Sequence, residues 1–140
     1  MSEPADTPAS SRRKVATVSL LVTDYDEAIA WYRAKLRFVV CADSDLGEGR
    51  RWVTMAPDPP GGVQVLLAKA KNQKELAQVG NQAGGRVFLF LETSDFWADY
   101  EAMRANGVSF RETPRREAYG TVAVFADLYG NLWDLLQPAG

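Results

Sequence analysis

Few side chains in this sequence are placed to do chemistry. The segment Leu132-Trp133-Asp134-Leu135-Leu136 sets one carboxylate inside an apolar run. Alternate residues of a strand face opposite sides, so Trp133 and Leu135 share one side and Asp134 takes the other. A carboxylate buried without a partner costs several kcal/mol or has its pKa pushed upward. Asp134 is therefore either a binding or acid–base group open to a ligand, or a structural carboxylate paired with an arginine or backbone donors. A second acid, Glu92, ends a segment in which Val87, Leu89 and Leu91 alternate with Phe88, Phe90 and Glu92. On that pattern Phe88, Phe90 and Glu92 share a side, and Glu92 either lines the rim of a site or is solvated. Aromatic residues in strands are most often core. Arg50, Arg51, Arg111 and the run RETPRRE bring cations near strand ends. A solvated face is their default, although the arginine fork also suits an anionic ligand group.

The missing side chains exclude a good deal. The 140 residues hold no histidine and one cysteine. Imidazole-based triads, His-ligated zinc, the facial triad of non-haem iron and proximal-His haem are all ruled out. A lone cysteine makes no intramolecular disulfide and no zinc cluster. Cys41, beside Val39-Val40 in an expected strand, reads as a buried, inert thiol. Sixteen basic and 18 acidic side chains, interspersed and summing to -2, leave no concentrated basic face for nucleic acid. The 46% hydrophobic and 24% charged composition is that of an ordinary globular domain. No apolar run reaches bilayer length and no signal pattern opens the chain, so a cytoplasmic protein without membrane partners is expected.

The elements that must position these residues follow from periodicity. Val18, Leu20 and Val22 oppose Thr17, Ser19 and Leu21, which predicts a strand over 15–22. Asp24, with Glu27 three residues on, opens a helix whose apolar stripe is Tyr25, Ala28, Ile29, Tyr32 and Leu36. Strands are expected over 38–42, 51–55 and 63–68, separated by the turns DSDLGEG and PDPPGG. The same order then returns. A strand over 86–93 leads to a Ser94-Asp95 cap, and the helix that follows carries Phe96, Tyr100 and Met103 and stops at Gly107. Strands over 108–112, 121–126 and 132–137 follow, the last two joined by DLYGN, for which turn chemistry suffices. Asp24 maps onto Asp95 and Arg33 onto Arg104 with one offset of 71 residues, the mark of internal duplication. Residues 1–13 read as a flexible tail and 14–138 as one domain: module one 14–68, a linker 69–85 with a short helix and the Gly84-Gly85 hinge, and module two 86–138.

The two βαβββ units carry VTDYDEAIAWY in the first, GGRVFLFLETSD opening the second and FADLYGNLWDLLQP closing it. They resemble the vicinal oxygen chelate superfamily of glyoxalases, bleomycin-resistance proteins and extradiol dioxygenases. The resemblance spans Lys14 to Pro138. It implies an α+β fold in which two tandem βαβββ modules form curved mixed sheets around a cavity. It also implies a homodimer, a state in which some members complete their sites across the interface. Metal-dependent members take ligands from the first and last strands of each unit. By position the first-strand places are Thr17, seven residues before Asp24, and Phe88, seven before Asp95. The last-strand place of the second unit is Asp134, where the family usually has Glu; that of the first is Gln64 or Leu66, a register left open. A hydroxyl, a phenyl ring and one carboxylate lack the charge and number of donors that a divalent cation needs. The resemblance with these substitutions implies no metal and no other cofactor.

The expected site is a largely apolar pocket with few polar anchors, the usual character of a small-molecule site. Trp52, Phe88 and Phe90 would wall it, Thr17 and Gln64 or Leu66 would lie beside them, and Tyr119, before Gly120, would sit near the mouth as a turn and packing residue. The leading expectation is a metal-independent protein of the bleomycin-resistance kind that sequesters a drug or metabolite. A glyoxalase-like lyase or isomerase using Asp134 and Glu92 for proton transfer competes with it. A third reading is a partner-binding module with a vestigial cavity, which the lack of an enclosed volume beside Asp134 would favour.

Overall fold

A computed structural model describes residues 6–7 and 10–140. Of the expected tail, 1–5 and 8–9 lie outside the described residues, and 10–16 form no strand or helix.

The first module opens with β1 (Thr17–Val22) and α1 (Tyr25–Leu36), and continues through β2 (Val39–Gly47), β3 (Arg50–Ala56) and β4 (Gln64–Lys69). The Asp24 side chain accepts from the Glu27 amide at 2.8 Å, which satisfies a donor that helix geometry leaves free at the α1 start. The expected turn DSDLGEG is mostly strand. Only Glu48 and Gly49 connect β2 to β3, both left-handed (φ 56 and 77), the conformation that a two-residue hairpin matching strand twist requires.

After α2 (Gln73–Gln78), the second module repeats the plan with β5 (Val87–Glu92) and α3 (Phe96–Ala105). Asp95 caps α3 by accepting from the Ala98 amide. The strand over 108–112 is shorter than expected, ending well before Pro114, which supplies no ladder donor. What forms of it is β6 (Ser109–Phe110), and beyond Pro114 comes a short strand that was not expected, β7 (Arg115–Glu117); both pair to β8 (Gly120–Ala126), which leads to β9 (Leu132–Pro138).

One sheet runs β1-β4-β3-β2 and the other β5-β9-β8-β6, with β7 also on β8. The pairs β1–β4 and β5–β9 are parallel, each bridged by the crossover that carries its helix. The fold is thus the expected α+β arrangement of two βαβββ modules.

Both modules share one core. Leu20, Val53, Met55 and Leu67 from the first sheet, Phe125, Trp133 and Leu135 from the second, and the stripes of α1 and α3 form a single buried cluster. Tyr32 and Phe38 reach the Trp133 ring at centroid distances of 5.9 and 6.1 Å. The Tyr32 hydroxyl also donates to Asp127 Oδ2 at 2.7 Å. Asp127 further accepts from the amides of Tyr129 and Asn131, from Asn131 Nδ2 and from the Trp133 indole. The DLYGN turn is therefore a buried polar hub between modules, which turn chemistry alone does not explain. Burial, and then the charge of Asp127, hold the Tyr32 phenol well above its ordinary range. From the linker, the Gln82 side chain accepts from the Leu21 amide at 2.8 Å on the outer edge of β1. The Gln82 backbone amide donates to Asn131 Oδ1 at 3.2 Å, so one residue ties the two modules. With the helix-bearing faces of both sheets spent on this core, the other face of each sheet points outward.

Candidate functional site

The outward face of the second sheet carries Asp134. Trp133 and Leu135 on either side of it are buried in the core, and parallel pairing sets Asp134 beside Phe90 on β5, antiparallel pairing beside Val124 on β8. Asp134 is only 6% exposed, and its Oδ1 has no hydrogen-bond partner. Burial raises its pKa; the nearby Arg115 guanidinium opposes that shift and the Glu112 carboxylate adds to it. The structural alternative, a carboxylate satisfied by arginine or backbone, is not what forms: no direct salt bridge joins Asp134 to Arg115.

Arg115 is engaged elsewhere. Its Nε donates to both Glu112 oxygens at 3.1 Å, and its Nη1 donates to Glu117 at 2.7 Å and to the Tyr119 hydroxyl at 3.3 Å. Glu112 Oε1 also accepts from the Val124 amide at 3.1 Å, which pins this network beside the Asp134 row. These contacts hold the Arg115 guanidinium firmly protonated, through hydrogen bonds first to Glu117 and then to Glu112.

The aromatic expectations divide. Phe90 is 62% exposed and borders Asp134. Phe88 does not share that face. The β5–β9 register shifts between Val87 and Leu89, and this bulge turns Phe88 onto the core, edge-on to Trp133 at 6.2 Å. Strict alternation along β5 fails there because one extra residue restarts the period. Glu92, paired with Leu136, stands two residues beyond Phe90 on the same side of β5, at the strand end. It lines a cleft of about 180 Å³ between the modules, with Lys35, Arg37, Asp99 and Met103. The carboxylate that acts on Asp134 is Glu112, which the sequence shows only as an acid within RETPRRE. Tyr119 is exposed and hydrogen-bonded to Arg115, so it belongs to the same network.

On the first sheet the pairing Thr17 to Gln64 and Ser19 to Leu66 resolves the open register: Gln64 and Leu66 are two residues apart on one face, with Gln64 directly beside Thr17. Leu66 in turn neighbours Thr54 on β3. Thr54 is 2% exposed, and its Oγ1 is the other buried side-chain atom without a partner. Period-two spacing from Trp52, which is 45% exposed, could have marked Thr54. Trp52 lies on this sheet and Phe90 on the other, so the chain does not bring them together. Cys41, expected to be buried, is half-buried, its Sγ 3.9 Å from the Val39 carbonyl.

The donors at the positions of the family's metal site do not fit a divalent cation. Thr17 and Gln64 are neutral, Phe88 has no donor and packs on Trp133, and Asp134 stands on a different sheet. Among the described residues no three acids or thiols gather in a metal-binding group.

The sequence model of the Glyoxalase/Bleomycin resistance protein/Dioxygenase superfamily matches residues 14–135. The chain belongs to that superfamily. It is 50% identical to a Shewanella frigidimarina protein over 127 residues, 90% of this chain and 94% of that one. With YurT of Bacillus subtilis it shares 30% identity over 131 residues, 89% of this chain and 98% of YurT. Among solved structures UcmS2 superimposes with a TM-score of 0.78 at 32% identity, covering 90% of this chain and 98% of UcmS2. TnmS3, an antibiotic binding protein from Streptomyces sp. CB03234, gives 0.76 at 26% identity, covering 94% of this chain and all of TnmS3.

Proposed function

We propose that this superfamily member binds and sequesters a small, largely apolar organic molecule of the antibiotic or metabolite kind, without a metal. The observation that carries the reading is Asp134, a buried carboxyl with an unpartnered oxygen on an outward, aromatic-bordered sheet face. A fold has no stability reason to keep such a group, whereas a ligand that satisfies it gains both a hydrogen bond and apolar contact. The antibiotic-binding description of TnmS3 supports the same ligand class. The two outward faces are open, so the proposal includes a homodimer in which a second copy walls the site. A cytoplasmic location belongs to the same proposal; among the described residues no helix is long and apolar enough to cross a membrane.

The test is a ligand-screening melt with metabolites, thiol conjugates and aromatic antibiotics, run on chelator-stripped protein with and without Ni, Zn, Mn or Fe. A thermal shift independent of metal is expected, with no stoichiometric metal uptake. Uptake near one metal per subunit would sink the proposal. A second reading, a protein-docking module, is favoured by one observation: Asp134 lines neither the cleft at Glu92 nor a second, more open one along Tyr100, Arg104 and residues 108–113. It predicts no small-molecule shift at all. A lyase or isomerase using Asp134 for proton transfer is a third, favoured by the raised carboxyl; turnover lost in Asp134→Asn separates it from sequestration.

A further inference from the structure

The charge around Asp134 narrows the ligand class, given the small-molecule reading above. Three carboxylates, Asp134, Glu112 and Glu117, stand against the guanidinium of Arg115, with Arg111, whose amide donates to the Val124 carbonyl at 2.8 Å, at the edge of the same row. The Arg115 guanidinium is committed to Glu112, Glu117 and the Tyr119 hydroxyl at 2.7–3.3 Å. Arg116, the next residue of β7, pairs with Thr121 and so alternates to the other side. With the carboxylates ionised, the face carries an excess of negative charge, and the one buried side-chain oxygen of these groups without a partner is Asp134 Oδ1.

Each ligand class meets this face differently. An anion meets an excess of like charge and offers no hydrogen to the unpartnered Asp134 Oδ1. A neutral hydrocarbon leaves the buried oxygen unpaired, which is the expensive outcome for a desolvated polar group. A protonated amine donates to Oδ1 and relieves the charge excess at once. Phe90, 62% exposed in the neighbouring row, offers its ring to the same cation and to an aromatic body attached to it. We infer that the site takes an amine-bearing aromatic cation, with Asp134 as its counter-ion.

Three tricyclic aromatics of near-equal size separate charge from hydrophobic contact at pH 7.5: 9-aminoacridine as the cation, acridine as the neutral probe and anthracene-9-carboxylate as the anion. Titration calorimetry on the full chain should rank the cation about tenfold tighter than the neutral probe, with the anion weakest. In Asp134→Asn, shown folded by circular dichroism, the gap between cation and neutral probe should shrink to about twofold. Equal affinity for all three, or a cation preference that survives the substitution, overturns the charge assignment and leaves a small-molecule site standing. Failure of all three to bind overturns both this inference and the sequestration reading.

Discussion

Replacing Asp134 by asparagine keeps the side chain's shape and removes its charge, and the fold should become more stable for it. The carboxyl is 6% exposed with one oxygen unpartnered, and the charge of Arg115 offsets only part of its burial cost. Asparagine keeps the unpartnered oxygen and removes only the charge, so the gain is the difference between burying a charged and a neutral polar group, on the order of 1 kcal/mol. For a domain of this size that corresponds to about 3–4 °C in melting temperature. The loss of Asp134's charge does not strand Arg115, whose partners are Glu112, Glu117 and Tyr119. The sign of the pH dependence follows from the raised carboxyl. As pH rises from the ordinary carboxyl value, the unfolded chain gives up its proton first, while the folded state holds its own. Stability is therefore lost between the unfolded and the folded pKa, and the asparagine variant escapes that loss. Melting curves of both proteins at pH 7.5 and below pH 4 give the test. The variant should melt higher at pH 7.5, with the advantage gone in acid. A variant that is less stable at pH 7.5, or equally advantaged at both pH values, would refute the reasoning that the burial cost of Asp134 outweighs the compensation from Arg115.

Two substitutions probe the scaffold. Tyr32→Phe removes the 2.7 Å hydrogen bond to the buried Asp127 and should lower the urea midpoint by the equivalent of about 1.5–3 kcal/mol, the range for bonds to charged groups; an unchanged midpoint would remove the inter-module hub from the account. Gly120→Ala places a Cβ 2.2 Å from the Gln137 carbonyl at φ +151, so β8 and β9 must separate at the edge that carries Tyr119. A loss of about 2 kcal/mol or more is expected, read by chemical denaturation, and a neutral result would show that the strand pair yields easily.

The sequence made the scaffold legible because two independent periods agreed with local capping. Asp24 and Asp95 cap their helices as expected, and Leu20, Val22, Trp133 and Leu135 face the core as alternation requires. The errors arise where alternation is interrupted or where an acid sits among cations. The bulge at Phe88 moved one expected wall residue into the core. A short strand that was not expected, β7, follows Pro114 and brings Arg115 and Glu117 beside Glu112. Thr54 carried only the period-two spacing from Trp52 as a signal; its importance is an unpartnered buried oxygen beside Leu66, which strand pairing alone reveals.

Residue types alone established that no imidazole chemistry operates here, that one carboxylate stands opposite Trp133 and Leu135, and that two βαβββ modules repeat. These are properties of composition and of periods two and 3.6, which act over a few residues. Whether Asp134 is satisfied depends on groups 19 and 22 residues away, Arg115 and Glu112, and on where their own hydrogen bonds are spent. Pairing across strands, not spacing along the chain, left that carboxyl buried without a partner and surrounded it with an excess of its own charge.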